Sequence, residues 1–197
     1  MNEIILFFTA FLAATFAENI IFTRALGTSW LLYLLKNPKD LWICSGLLAV
    51  ITTLSGAMGY PFRGFAEGSD YSYILIPMLY IACTAVVYIA VYFALKPILK
   101  ERFDAIESKL GAAAFNCAVL GSLLIPANQR FDIAKTLGYG LGMSAGFVLA
   151  VLIIGYGIKR LETKKVPKVF RGLPIMLIYL GLLSLAFYGL TGHQLPT

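Results

Sequence analysis

Residues 72–95 read SYILIPMLYIACTAVVYIAVYFAL, an unbroken apolar run without one charged side chain. An α-helix rises about 1.5 Å per residue, so roughly 20 such residues cross the hydrocarbon core of a bilayer. Working outward from this run, comparable stretches occur at 4–23, 41–60, 110–126, 135–158 and 173–192. In lipid every backbone N–H and C=O must be paired within the protein, which leaves helices or a closed barrel. These runs are too long and too uniformly apolar for alternating barrel strands. The expected fold is an all-α integral membrane protein of six transmembrane helices, a single membrane domain over 1–197.

Composition agrees with that solvent: 59% of residues are hydrophobic and only 13% charged, where soluble domains carry roughly a quarter charged. The mean hydropathy is +0.82. The first apolar run lacks a basic leader and a small-residue cleavage site followed by polar chain, so it is expected to stay as a helix rather than be removed as a signal peptide. The net charge of +6 is explained by where the cations lie. Arg24, Lys36 and Lys39 follow the first run; Lys96, Lys100, Arg102 and Lys109 follow the third; Lys159, Arg160, Lys164, Lys165, Lys168 and Arg171 follow the fifth. Only Arg63, Arg130 and Lys135 fall in the other two connections. The positive-inside rule then predicts cytoplasmic odd-numbered connections and both termini outside the cytoplasmic membrane. Read this way the basic surplus records topology, not nucleic-acid binding.

Six helices divide into two sets of three, about 1–100 and 101–197. A three-helix unit leaves the membrane opposite its entry, so a duplicated second unit is inverted. Ala14-Thr15-Phe16-Ala17-Glu18-Asn19 in the first run is echoed by Ala112-Ala113-Ala114-Phe115-Asn116-Cys117 in the fourth. Each places an amide within apolar chain after small residues. Inverted repeats commonly bring interrupted helices together near the midplane, where an ion or substrate is handled. Coincidence in alanine-rich helices is the alternative. Gly138, Gly142 and Gly146 recur at four-residue spacing in the fifth run, a nearly bare face on which another helix can pack closely.

Glu18 lies about fifteen residues into the first run. An intramembrane carboxylate is costly and by default a functional candidate, here a cation or proton ligand assisted by Asn19. The competing reading ends the helix early and pairs Glu18 with Arg24. Asn116 is a second ion-pathway candidate, and its neighbour Cys117 is able to supply one metal ligand to a site completed by another chain. Cys44, Cys83 and Cys117 show no CxxC spacing. There is no dinucleotide fingerprint or P-loop, and His193 is the sole histidine, which argues against paired-histidine haem ligation and against a histidine-based triad.

Several motifs together resemble the RnfA/NqrE family: Phe115-Asn116-Cys117-Ala118-Val119-Leu120-Gly121; Tyr139-Gly140-Leu141-Gly142 leading to Gly157-Ile158-Lys159-Arg160-Leu161; Val166-Pro167-Lys168-Val169-Phe170-Arg171-Gly172; and Glu18-Asn19 followed by Leu26-Gly27. The resemblance implies six helices in two inverted repeats and membership of an Rnf-type or Nqr-type complex, which moves electrons while pumping sodium ions or protons. It also implies a homologous RnfE/NqrD-like partner of opposite orientation, and a [2Fe-2S] cluster held within the membrane by two cysteines from each of the pair. Cys117 matches one cluster cysteine. The other position is Ser29, in Leu26-Gly27-Thr28-Ser29. A serine hydroxyl is a harder and far less acidic ligand than a thiol. Three readings stay open: serine completes the site, Cys44 or Cys83 reaches it, or the chain is a divergent paralogue acting as a non-redox cation transporter or a structural subunit.

Overall fold

The structure, a computed structural model, describes residues 2–100, 103–161 and 167–191. Arg102, Lys164, Lys165, Val166 and His193, which enter the charge and motif readings, lie outside these residues. The described chain is all helical: α1 (Glu3–Leu12), a π-helical turn (Ala13–Ala17), α2 (Ile20–Arg24), α3 (Thr28–Lys36), α4 (Leu41–Glu67), α5 (Ser72–Leu99), α6 (Phe103–Ala114), α7 (Cys117–Asn128), α8 (Ile133–Leu161) and α9 (Leu173–Thr191). Short 3₁₀ turns at Pro38–Asp40 and Lys168–Phe170 precede α4 and α9.

Segments around α4, α5 and α8 are each long and apolar enough to cross a membrane. The other predicted runs differ from simple helices. Run 110–126 begins earlier and breaks at Phe115–Asn116, so that α6 and α7 meet at a bend of 43°. Run 4–23 breaks at Glu18–Asn19, and the last run forms a shorter apolar helix. Uniform hydropathy hides both breaks, because the breaking residues sit inside apolar chain and are capped internally.

Close contacts set the direction of each span. A side chain at Gly138 would meet the Phe7 carbonyl, one at Gly142 the Phe11 carbonyl, one at Gly146 would lie 3.0 Å from the Ala14 carbonyl oxygen, and one at Gly155 3.3 Å from Leu35 Cδ2. Numbers rise together, so the stretch 3–36 runs parallel to α8 as one broken span. Asp40 meets Lys109, Gly56 faces Leu123 and Glu67 meets Arg130, so α6–α7 runs parallel to α4. Thr53 lies against Gly140 and Thr136 against Gly56, so α4 and α8 are antiparallel. In an alternating six-span chain the first and fifth spans share one direction and the second and fourth the other, which is the pattern here. The two broken spans, first and fourth, therefore run in opposite senses.

The interior holds small and hydroxylated residues as well as aliphatic ones. Thr15, Asn19, Thr52, Ser55, Thr84, Ser122 and Ser144 are buried, whereas Ile4, Phe8, Trp42, Phe65, Met78, Ile89, Phe93 and Leu185 face outward. Between lipid-soluble helices hydrophobic burial offers no drive, and association rests on close packing and interhelical hydrogen bonds. The α8 glycines supply the closeness. Through them Thr15 Oγ1 reaches the Gly142 carbonyl at 3.1 Å and Thr52 Oγ1 the Gly140 carbonyl at 3.3 Å.

Ion pairs staple the spans near their ends. Lys109 Nζ binds Asp40 at 2.7 Å. At the other end Glu67 lies between Arg63, at 3.0 Å, and Arg130, while Arg63 also donates to the Phe131 carbonyl.

Gly142→Ala places a methyl 2.9 Å from Phe11 Cα and 3.0 Å from Ala14 Cβ, which forces the first span off α8. Overpacking of this kind costs about 1–3 kcal/mol. Gly46, with nothing within 4 Å of an added methyl, provides the control. Thermal unfolding of the purified protein in detergent is expected to show a lowered midpoint for Gly142→Ala and none for Gly46→Ala.

Candidate functional site

The first span opens where α1 widens into the π turn. The Glu18 amide N–H donates to the Ala13 carbonyl at 2.7 Å, and the chain then stops being helical at Glu18, with φ −105° and ψ 35°. Such a turn frees backbone groups inside the membrane, and Asn19 takes them up. Its Oδ1 accepts from the Ile21 amide at 3.1 Å, capping α2. Its Nδ2 donates to the Thr15 carbonyl at 3.0 Å and across to Gly146 of α8 at 2.8 Å. Asn19 is fully buried, and its side chain serves as cap and tether at once.

The fourth span repeats the device in the opposite sense. Asn116 is the N-cap of α7, with Oδ1 accepting from the Ala118 amide at 3.1 Å, and Cys117 is the first residue of that helix. The sequence echo between the two Asn-containing stretches thus corresponds to equivalent helix breaks. The breaks meet: a methyl at Gly121 would strike Leu26 and lie 3.3 Å from Ile20.

α2 ends in a left-handed Ala25, the Leu26 amide closing back on the Ile20 carbonyl at 3.2 Å. The next left-handed residue, Gly27 with φ +80°, starts α3. An added Cβ there would fall 2.9 Å from Ala118 Cβ, so both its conformation and its surroundings require glycine. Gly27 donates its amide N–H to Cys117 Sγ at 3.1 Å, which ties the Leu26-Gly27-Thr28-Ser29 loop to the cysteine. Ser29, in the first turn of α3, and Cys117 are both exposed. Each candidate ligand therefore starts a helix, where free N–H groups and the helix dipole favour negative charge.

Cys44 and Cys83 are buried in α4 and α5, and no group of three histidine, cysteine or acidic side chains gathers as a metal set among the described residues. The exposed donors here are one thiol, Cys117, and one hydroxyl, Ser29, so a centre that needs two thiolates from this chain does not fit them.

Glu18 forms no ion pair with Arg24, and its Oε2 is buried without a hydrogen-bond partner. The Tyr139 hydroxyl of α8 is also buried and lies near this carboxylate. Sequence reasoning does not single out Tyr139. The available signal, a phenol between glycines in an apolar run, is shared with Tyr156 and so does not pick out Tyr139. The helix breaks are marked more clearly, by asparagines placed where an N-cap belongs.

Comparison with known proteins adds a further finding. The family described as "Rnf-Nqr subunit, membrane protein" matches residues 7–194. The chain is 28% identical, over 93% of its length and 96% of the relative's, to a component of the Na(+)-translocating ferredoxin:NAD(+) oxidoreductase complex of Acetobacterium woodii. It is 29% identical to a component of the ion-translocating oxidoreductase complex of Cereibacter sphaeroides, over 94% of this chain and 96% of the relative. With a component of the Na(+)-translocating NADH-quinone reductase of Chlamydia muridarum the identity is 28%, over 92% and 80% respectively.

Loss of a helix cap costs about 1 kcal/mol, and a lost buried hydrogen bond adds about 1–3 kcal/mol when its partner is left unsatisfied. Asn19→Ala removes both the cap and the tether to Gly146, whereas Asn116→Ala removes a cap. Denaturation in mixed micelles is expected to rank Asn19→Ala as the more damaging of the two by about 1–3 kcal/mol.

Proposed function

Because this chain belongs to the Rnf-Nqr family of membrane subunits, we propose that it is the RnfA/NqrE-type component of an ion-translocating oxidoreductase complex. In that role it serves electron passage across a bacterial or archaeal cytoplasmic membrane coupled to sodium-ion or proton movement. The observation that carries the reading is the exposed Cys117, held by the Gly27 amide where two oppositely directed broken spans meet. The names of relatives at full-length similarity support the complex and its ion-moving activity.

A homologous RnfE/NqrD-like subunit is the proposed neighbour over this face. Cys117 would hold a [2Fe-2S] cluster shared with that neighbour, with Ser29 at the remaining position on this side. When bound, such a centre supplies a one-electron relay inside the membrane. The chain's own residues prepare the place. Asn116 fixes the start of α7, so the sulfur is presented at a helix N-terminus, a setting suited to an anionic ligand. Gly27 contributes an N–H to the sulfur, and hydrogen bonds to sulfur are among the levers that tune cluster potential. Asn19 and the α8 seam hold the loop that carries Gly27 and Ser29.

Anaerobic purification of the complex with its natural partners, followed by iron analysis and electron paramagnetic resonance, tests this reading. Iron and sulfide are expected in the wild type, with the membrane cluster signal lost in Cys117→Ala. Ser29→Cys is expected to shift the signal while leaving the iron content at least as high. A complex whose iron content and spectrum are unchanged by Cys117→Ala overturns the assignment.

A further inference from the structure

Grooves open between the first span and α8 at both of their ends. The groove toward Asp40 holds about 290 Å³ and is lined by Leu34, Leu35, Pro38 and Leu41 on one side and by the α8 face from Leu152 to Lys159 on the other. Its α8 wall is bare at Gly155, where an added methyl would lie 3.3 Å from Leu35 Cδ2. Leu152, Tyr156 and Lys159 follow at spacings of four and three, so they share one helix face, and all three are exposed. The groove thus extends roughly 10 Å along α8, apolar at one end and cationic at the other.

Two further observations concern the cationic end. Trp42, next to Leu41, is 73% exposed and Tyr156 is 72% exposed, and such aromatic side chains collect at the level of lipid head groups. Lys36 and Lys39 flank Pro38, and like Lys159 they are exposed and make no ion pair among the described residues. The acidic neighbour Asp40 does not neutralise them, since Lys109 binds it at 2.7 Å and the Tyr33 hydroxyl at 3.2 Å. The distribution of cations assigns this end to the cytoplasmic side, whose leaflet carries anionic lipid.

We propose that this groove binds one anionic glycerophospholipid, an acyl chain lying along Leu35 and Leu152 and the phosphate group resting at Lys159 beside Lys36 and Lys39. A lysine ammonium binds phosphate as a point charge on a flexible stem, and the apolar stretch behind it matches a hydrocarbon chain. Basic pockets between helices on the cytoplasmic side suit lipid head groups of this charge. The groove at the other end of the same two spans supplies the contrast. It holds about 350 Å³ and is lined by Ile4, Phe7, Phe8 and Leu137, but the charged side chain on its wall is Glu3. Lys135, the cation nearest in sequence to that wall, lies over the Phe131 ring. An apolar chain suits both grooves, whereas an anionic head group suits only the first.

The site depends on membrane embedding and not on electron carriage. Its test uses the assembled complex in phosphatidylcholine vesicles that carry a trace of photoreactive phosphatidylglycerol or of photoreactive phosphatidylcholine. Cross-linked peptides are mapped by mass. The phosphatidylglycerol probe is expected to label residues 34–41 and 151–159 at least about fivefold more than the phosphatidylcholine probe, with no such preference at residues 4–8. Lys36→Gln combined with Lys159→Gln is expected to bring the preference at the first groove down to that at the second. Equal labelling of the first groove by the two probes overturns the proposal, as does a preference that survives the double substitution. Absence of labelling there, with a partner subunit covering the groove, overturns it too. Should the double variant fail to assemble, competition in the wild-type complex decides: displacement of the probe by unlabelled phosphatidylglycerol and not by phosphatidylcholine supports the site, and equal displacement by both overturns it.

Discussion

The close approach of the first span to α8 is the contact on which the rest of the structure depends. Lipid offers helices no hydrophobic reason to associate, so a bundle must be held by fitted surfaces and by polar groups that find each other. Gly138, Gly142 and Gly146 let backbone meet backbone, and the α8 carbonyls this exposes are used. Gly142 accepts from Thr15 and Gly146 from Asn19. On the opposite side of the seam Gly140 accepts from Thr52 of α4. A helix with side chains at these positions would hold its neighbours too far away for any of these bonds.

The seam is also what permits the breaks. An interrupted helix inside a membrane strands backbone donors and acceptors, and such chain is tolerated only where the protein satisfies it. Asn19 is anchored to the one face of α8 that can come near enough, and from there it caps α2. In the oppositely directed span Asn116 caps α7 without such a cross-helix tether, because the left-handed turn at Gly27 packs against Ala118 and lends its amide to Cys117. The breaks are therefore mutually supporting. Each supplies what the other lacks, and helix N-termini from both converge about halfway along α8.

How far the sequence could be read follows from which forces leave a local trace. Membrane embedding requires long apolar runs, so the six segments and the all-helical class were legible from 72–95 and its counterparts. Close helix packing requires small residues in register, and the four-residue glycine spacing announced it. Hydropathy alone does not show the breaks at Glu18–Asn19 and Phe115–Asn116, because it averages over a window and a single asparagine barely moves it. Yet that asparagine is what a cap looks like, and its recurrence before Ile20 and before Cys117 was the trace. The nearness of Tyr139 to Glu18 left none, since it is created by the parallel packing of spans distant in sequence.

The contrast among the polar groups of the bundle carries one further step. Cys44 and Cys83 are enclosed in the helix cores, as small side chains usually are. Cys117 and Ser29 are exposed beside half-helix N-termini. Acyl chains cannot hydrogen-bond a hydroxyl or balance the partial positive charge of a helix start, so leaving that face against lipid is unfavourable. Burying the pair inside the chain would have cost little, as the other two cysteines demonstrate. Their exposure is what the proposed shared centre requires, a face whose polar chemistry is completed from outside and to which this chain brings one thiol and one hydroxyl.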